Sequence, residues 1–185
     1  MADITPLLPR QPAPALTAPL AESNAAPFLL SQEAPTNFTL VVFYRGFHCP
    51  LCRIQLKELE ANLPEFGKRG VSVVALSSDS QERAEKAKAE WQLPNLRIGY
   101  GLDLKLARSW GLYVSAGRGL TSIGVEEPAM FSEPGFFLIR PDGTIYFASV
   151  QSMPFARPHV VDLLGAIDFV VAKSYPARGE IAFLD

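Results

Sequence analysis

The chain has few residues that bind metals or titrate near neutrality. Its 185 residues include only two cysteines, Cys49 and Cys52, and two histidines, His48 and His159. A closed zinc site takes four ligands, so a zinc ion could be held only across a subunit interface, and neither metal nor cofactor is expected. Charge of one sign is also lacking. The formal net charge is −2, so no basic footprint argues for nucleic acid. No apolar run approaches the roughly 20 residues of a membrane span. The N-terminus lacks a basic start followed by an apolar core, so no secretory signal is expected and the reading is a cytoplasmic chain without membrane contact. In that compartment a pair of cysteines is better suited to chemistry than to a permanent staple.

What is present fits a globular chain. Nearly half the residues, 48%, are apolar, and the length suits one domain with a sizeable core. Residues 1–37 hold seven of the sixteen prolines. The reading is a loose tail over 1–12, then a single domain over 13–185 that starts with two short edge strands, near Ala15–Leu20 and Pro27–Ser31, where proline is tolerated. Thr39–Tyr44 is a continuous apolar run, as in a strand buried on both faces. A helix is expected from Pro50 to about Phe66, with Pro64 kinking or loosening its last turn. Val71–Leu76 is a second strand. Asp79 then reads as the cap of a helix running to Trp91, with Glu82 completing a capping box. A short strand Leu96–Gly99 and a short helix Leu104–Trp110 follow. Residues 112–133 show no period and read as a long loop. Gly135–Ile139 and Thr144–Val150 flank Pro141-Asp142-Gly143 and form a hairpin. A last amphipathic helix spans His159–Lys173. This is an α/β order, β-α-β-α then hairpin then helix, as in a thioredoxin-like fold with a central mixed sheet flanked by helices.

The chemistry sits at Cys49-Pro50-Leu51-Cys52, directly after the first long strand. Proline is favoured at the first helical position, which makes Cys49 the N-cap. Its sulfur then faces the free N–H groups of the first turn, and a thiolate there gains from them and from the helix dipole. The Cys49 pKa should fall below about 8.5. Cys52, Leu56, Leu59, Leu63 and Phe66 recur at helical spacing on the buried face. Cys52 is therefore expected to be sheltered and resolving, Cys49 exposed and attacking. Two inert core cysteines are the bland alternative. Arg45 either supports the thiolate or reaches solvent, with solvent preferred. His48 either assists the thiol as acid or base or lines the rim. Met153–Pro158 is a stiff segment that either lines the mouth of the site, with Arg157 touching an anion, or simply connects strand to helix; the connector is preferred.

The stretch Phe43-Tyr44-Arg45-Gly46-Phe47-His48-Cys49-Pro50-Leu51-Cys52, with Phe131-Ser132-Glu133-Pro134-Gly135-Phe136-Phe137-Leu138-Ile139, resembles the peroxiredoxin-like branch of the AhpC/TSA redoxin family. The likeness runs from about Pro12 to the C-terminus. It implies a thioredoxin fold with Pro134 as a cis-proline packed against the active thiols. Four departures stand out. Gly46 occupies the place of the family's threonine, and Val42, four residues earlier, that of its usual proline. Pro134 stands where the arginine that assists peroxide falls. Phe43 stands where thioredoxins carry a buried aspartate.

These departures favour a thiol–disulfide oxidoreductase, in which Cys49 attacks a disulfide and Cys52 resolves the mixed disulfide. A peroxiredoxin-like peroxidase, with Cys49 peroxidatic and Cys52 resolving, is the alternative, and slow peroxide reduction is expected. A non-catalytic redoxin-fold binding module is the third reading. The partners implied are a disulfide or peroxide substrate and a reductant such as a thioredoxin or small thiol, and nothing in the chain opposes a homodimer.

Overall fold

A computed structural model describes residues 6–22 and 24–182. Nine strands and four α-helices are present among them. In chain order they are β1 (Thr17–Ala18), β2 (Phe28–Leu29), β3 (Phe38–Phe43), α1 (Pro50–Lys68), β4 (Val71–Leu76), α2 (Gln81–Glu90), β5 (Arg97–Gly99), α3 (Leu104–Ser109), β6 (Val114–Ala116), β7 (Met130–Ser132), β8 (Gly135–Ile139), β9 (Ile145–Val150) and α4 (Val160–Lys173).

The central sheet has the order β5-β4-β3-β8-β9. β3 pairs parallel with β4 and antiparallel with β8, so it lies in the middle. Every residue of β3 and β8 is buried. Alternation along β3 divides the core in two. Leu40, Val42 and Tyr44 face a layer built with Leu56, Leu59 and Phe66 of α1 and Leu163 and Ile167 of α4. Val41 and Phe43 face the opposite layer, with Trp110, Phe137, Leu16 and Phe28. Phe43 packs on Trp110 and Phe137 at ring-centroid distances of 5.2 and 5.8 Å. The strand that carries the cysteine turn is thus held from both sides.

Three elements differ from the sequence reading. The cap of α2 is Ser80, whose side chain accepts from Arg83 N–H. Asp79 is engaged elsewhere: its Oδ2 accepts from Phe47 N–H (2.6 Å) and its Oδ1 from Arg83 Nε (2.8 Å). Residues 112–133 are not a bare loop but an arm in which β6 and β7 pair antiparallel; strands of three residues separated by a glycine-rich turn leave no readable period. α1 runs through Pro64 to Lys68 as one helix, its far end anchored by buried Phe66. Of the segment 1–12, residues 1–5 lie outside the described residues. From Arg10 onward the chain is docked beside β9: Arg10 N–H donates to Ile145 O (2.7 Å) and Ile145 N–H to Gln11 O (2.9 Å). No helix among the described residues is long and apolar enough to cross a membrane.

The link from β3 to α1 depends on Gly46, which adopts φ +135°. A Cβ there would meet the Asp79 carboxylate at 2.7 Å. Asp79→Ala should leave the buried Phe47 N–H unpartnered and strip Arg83 Nε of its carboxylate, and cost about 2–3 kcal/mol in urea unfolding. Gly46→Ala should also destabilise, through backbone strain and the carboxylate clash, and should disturb thiol reactivity because it re-aims the turn.

Candidate active site

Pro50 opens α1, and Cys49 is its N-cap with extended backbone. Cys52 N–H donates to Cys49 Sγ at 3.3 Å, as the capping argument requires. The two residues are free thiols that approach to 3.0 Å. Cys52 is fully buried, on the stripe that continues through Leu56 and Leu59. Cys49 is buried too, at 1% exposure, which corrects the expectation of an exposed attacking thiol. The cover is supplied by a remote part of the chain.

That cover is a strap, residues 151–158, between β9 and α4. It starts where Gln151 N–H donates to Pro134 O (3.0 Å), and it brings Arg157 over the thiols. Arg157 Nη1 and Nη2 each lie 3.3 Å from Cys52 Sγ, and Nη2 lies 3.6 Å from Cys49 Sγ. Nη1 also donates to Gln55 Oε1 (2.8 Å), and Gln55 Nε2 donates to Pro158 O (3.4 Å). The strap is therefore more than a connector. The anion-contact role weighed for Arg157 matches its position. Gln55 was not visible beforehand; its only sequence signal is a polar side chain bordering the apolar stripe, one turn after Cys52.

The electrostatics separate the two sulfurs. Hydrogen bonding from the Cys52 thiol draws the Cys49 pKa down to about 5, with help from the Cys52 amide and Arg157, against the opposing effect of burial. Burial pushes Cys52 up, and the neighbouring Cys49 sulfur pushes it further. The surroundings thus favour the thiolate at Cys49 and the protonated thiol at Cys52.

The other candidates lie elsewhere. His48 is fully buried, and its Nδ1 faces Arg83 Nη2 at 3.4 Å. Burial and the charges of Arg45 and Arg83 lower its pKa to about 3, so the ring is neutral. It packs against Phe131, at 4.6 Å between ring centroids, not on the rim. Arg45 neither supports the thiolate nor runs free into solvent: its guanidinium is 3.2 Å from Glu133, 3.5 Å from Glu127 and stacked over Phe131 at 4.6 Å. Pro134 is trans, since no cis peptide occurs among the described residues. Its tie to the site is the carbonyl that anchors the strap, so no cis-proline groove faces the thiols. Beside Arg157 opens a groove of about 240 Å³ whose walls include Leu51, Ile54, Phe155 and Pro158, with Glu58 and His159 at its polar side. Leu51, Ile54 and Phe155 are exposed there.

Absorbance of the reduced protein at 240 nm, followed against pH, should show one thiolate forming near pH 5 and a second only above the ordinary thiol range. Arg157→Met should move the first step to higher pH, because it removes a cation facing the charged form.

The sequence profile of the AhpC/TSA family matches residues 9–148. No curated protein sequence matches the chain. Among solved structures the fold is similar to the reduced 2-Cys peroxiredoxin of Plasmodium vivax, with a TM-score of 0.71 and 19% identity over 97% of this chain and 92% of that one. It is also similar to the peroxidoxin BcpB of Mycobacterium tuberculosis, with a TM-score of 0.68 and 17% identity over 89% and 98%. The AhpC of Enterococcus faecalis gives a TM-score of 0.68 and 16% identity over 93% and 99%. With a family profile covering most of its length and this sheet-and-helix architecture around the thiol turn, the chain belongs to the AhpC/TSA family and is an oxidoreductase.

Proposed function

We propose that the protein is a thiol-dependent peroxidase in which Cys49 is peroxidatic and Cys52 resolving. The observation that carries this reading is a thiol at 1% exposure with a guanidinium on it. A buried sulfur is reached more readily by a peroxide than by a disulfide, which needs in-line access along its S–S bond. This reverses the order of preference drawn from the sequence, where the missing threonine and arginine counted against peroxide. Arg157, from a different segment, supplies the cation, and the first-turn amides of α1 add donors. Such groups act where charge develops on the departing oxygen.

The Cys49 thiolate attacks the outer oxygen of ROOH. The O–O bond breaks, RO⁻ leaves and takes a proton from solvent as ROH, and Cys49 becomes a sulfenic acid. Cys52 then attacks the Cys49 sulfur, losing its proton as hydroxide departs, so that water and a Cys49–Cys52 disulfide result. Both cysteines belong to one helical turn, so this step needs no long rearrangement. An external dithiol, of the thioredoxin type or a small thiol, returns the pair to the reduced state by disulfide exchange. A non-catalytic module is disfavoured by the lowered Cys49 pKa. The apolar walls of the groove favour an organic hydroperoxide over hydrogen peroxide.

Stopped-flow oxidation of the reduced protein should give a larger second-order rate constant for cumene hydroperoxide than for hydrogen peroxide. Both should exceed oxidised glutathione by at least about tenfold, a barrier difference of about 1.4 kcal/mol. A disulfide rate above both peroxide rates would restore the exchange reading. Cys49→Ser should abolish peroxide turnover. Cys52→Ser should stop after one turnover and accumulate a dimedone-reactive sulfenic acid, detected by mass.

A further inference from the structure

We propose that Gln55 is a positioning residue that fixes the Arg157 guanidinium over the thiol pair. It does so by holding both the side chain and the backbone of the strap to α1; the inference rests on Arg157 acting on Cys49 as described above. Three observations support it. First, Gln55 Oε1 is the only oxygen acceptor of the Arg157 guanidinium among the described residues, at 2.8 Å; the other partners are the two sulfurs. Arg157 Nε is buried without a partner. A neutral thiol is a weak acceptor, so sulfur alone would leave a long, flexible side chain poorly defined.

Second, the strap is thinly attached. Among the described residues, the hydrogen bonds tying 152–158 to the rest of the fold are those of Arg157 and the Gln55 Nε2 bond to Pro158 O. Third, the backbone on each side of Arg157 is constrained. Ala156 has φ 58°, a left-handed conformation that a side chain resists, and Pro158 restricts the residue before it to extended forms. Such a segment keeps its shape only if something outside it holds it. Gln55, buried at 8% exposure on a helix already fixed by Leu56 and Leu59, provides that hold.

Gln55 touches neither substrate nor sulfur in this arrangement, so its effect has to pass through Arg157. The groups facing the thiols are few: Arg157 from the strap and the Cys52 amide from the first turn of α1. Glu58 and His159 line the neighbouring groove. Arg45 and His48 are engaged with Glu133, Glu127 and Arg83.

The test is a double-mutant cycle on the full chain, read by the pH dependence of iodoacetamide alkylation of Cys49, which needs no peroxide. Gln55→Met keeps the length and the helix propensity and removes both hydrogen bonds. It should raise the alkylation midpoint by at least about half a pH unit, about threefold less thiolate on the acid side. In an Arg157→Met background the same change should have no further effect. An unchanged midpoint in Gln55→Met, or an equal shift in both backgrounds, overturns the proposal. Peroxide rates of the same proteins separate the two readings. Midpoints that follow the cycle while every protein reacts slowly with peroxide would leave Gln55 as a positioning residue and remove the peroxidase assignment.

Discussion

A thiolate withdrawn from water has to be matched by donors that water would otherwise supply. At Cys49 they arrive from three directions: the Cys52 amide, the Cys52 thiol and the Arg157 guanidinium. Each comes from a constraint set further away. The amide is free because Pro50 starts the helix at that residue. The thiol is in place because Cys52 lies on the stripe that packs α1 against the sheet. The guanidinium is in place because the strap is anchored at Pro134 O at one end and at Gln55 near the other. Losing any of the three would leave a buried sulfur that is either protonated or poorly placed.

The same reasoning explains why Arg45 and His48, next to the cysteine in sequence, do not serve it. The loop between β3 and α1 is pinned by a buried carboxylate: Asp79 takes the Phe47 amide and Arg83. Gly46 allows the close approach. This turns His48 toward Arg83 and Phe131, where burial and two cations keep its ring neutral. It also sends Arg45 to the β6–β7 arm, where Glu127 and Glu133 hold its charge. The carboxylates neutralise a cation that proximity in sequence would have assigned to sulfur.

Exposure is what favours the proposed peroxidase over disulfide exchange. Both chemistries end in a Cys49–Cys52 disulfide, so the motif alone does not rank them. In the proposed reading a sulfur under a strap admits a small oxidant first, and the exposed apolar side chains Leu51, Ile54 and Phe155 beside it offer an organic peroxide a surface for its apolar part.

The sequence by itself determined the elements that rest on local periodicity and capping. β3 is legible from an unbroken apolar run, α1 from proline after its cap and a stripe alternately four and three residues apart, and the β8–β9 hairpin from Pro-Asp-Gly. Cys52 as the sheltered thiol and a lowered Cys49 pKa follow from the same local rules. Three things were decided only by the tertiary structure, because each depends on partners far apart in the chain. Arg157 reaches the sulfurs across more than a hundred residues. Asp79 abandons its local capping role because Phe47 N–H offers a buried partner. Cys49 loses its exposure to a strap whose composition, Met-Pro-Phe-Ala-Arg-Pro, reads equally as a connector. Periodicity records which face of an element is apolar; it carries no record of which distant segment will cover it, and at this site that segment supplies the charge.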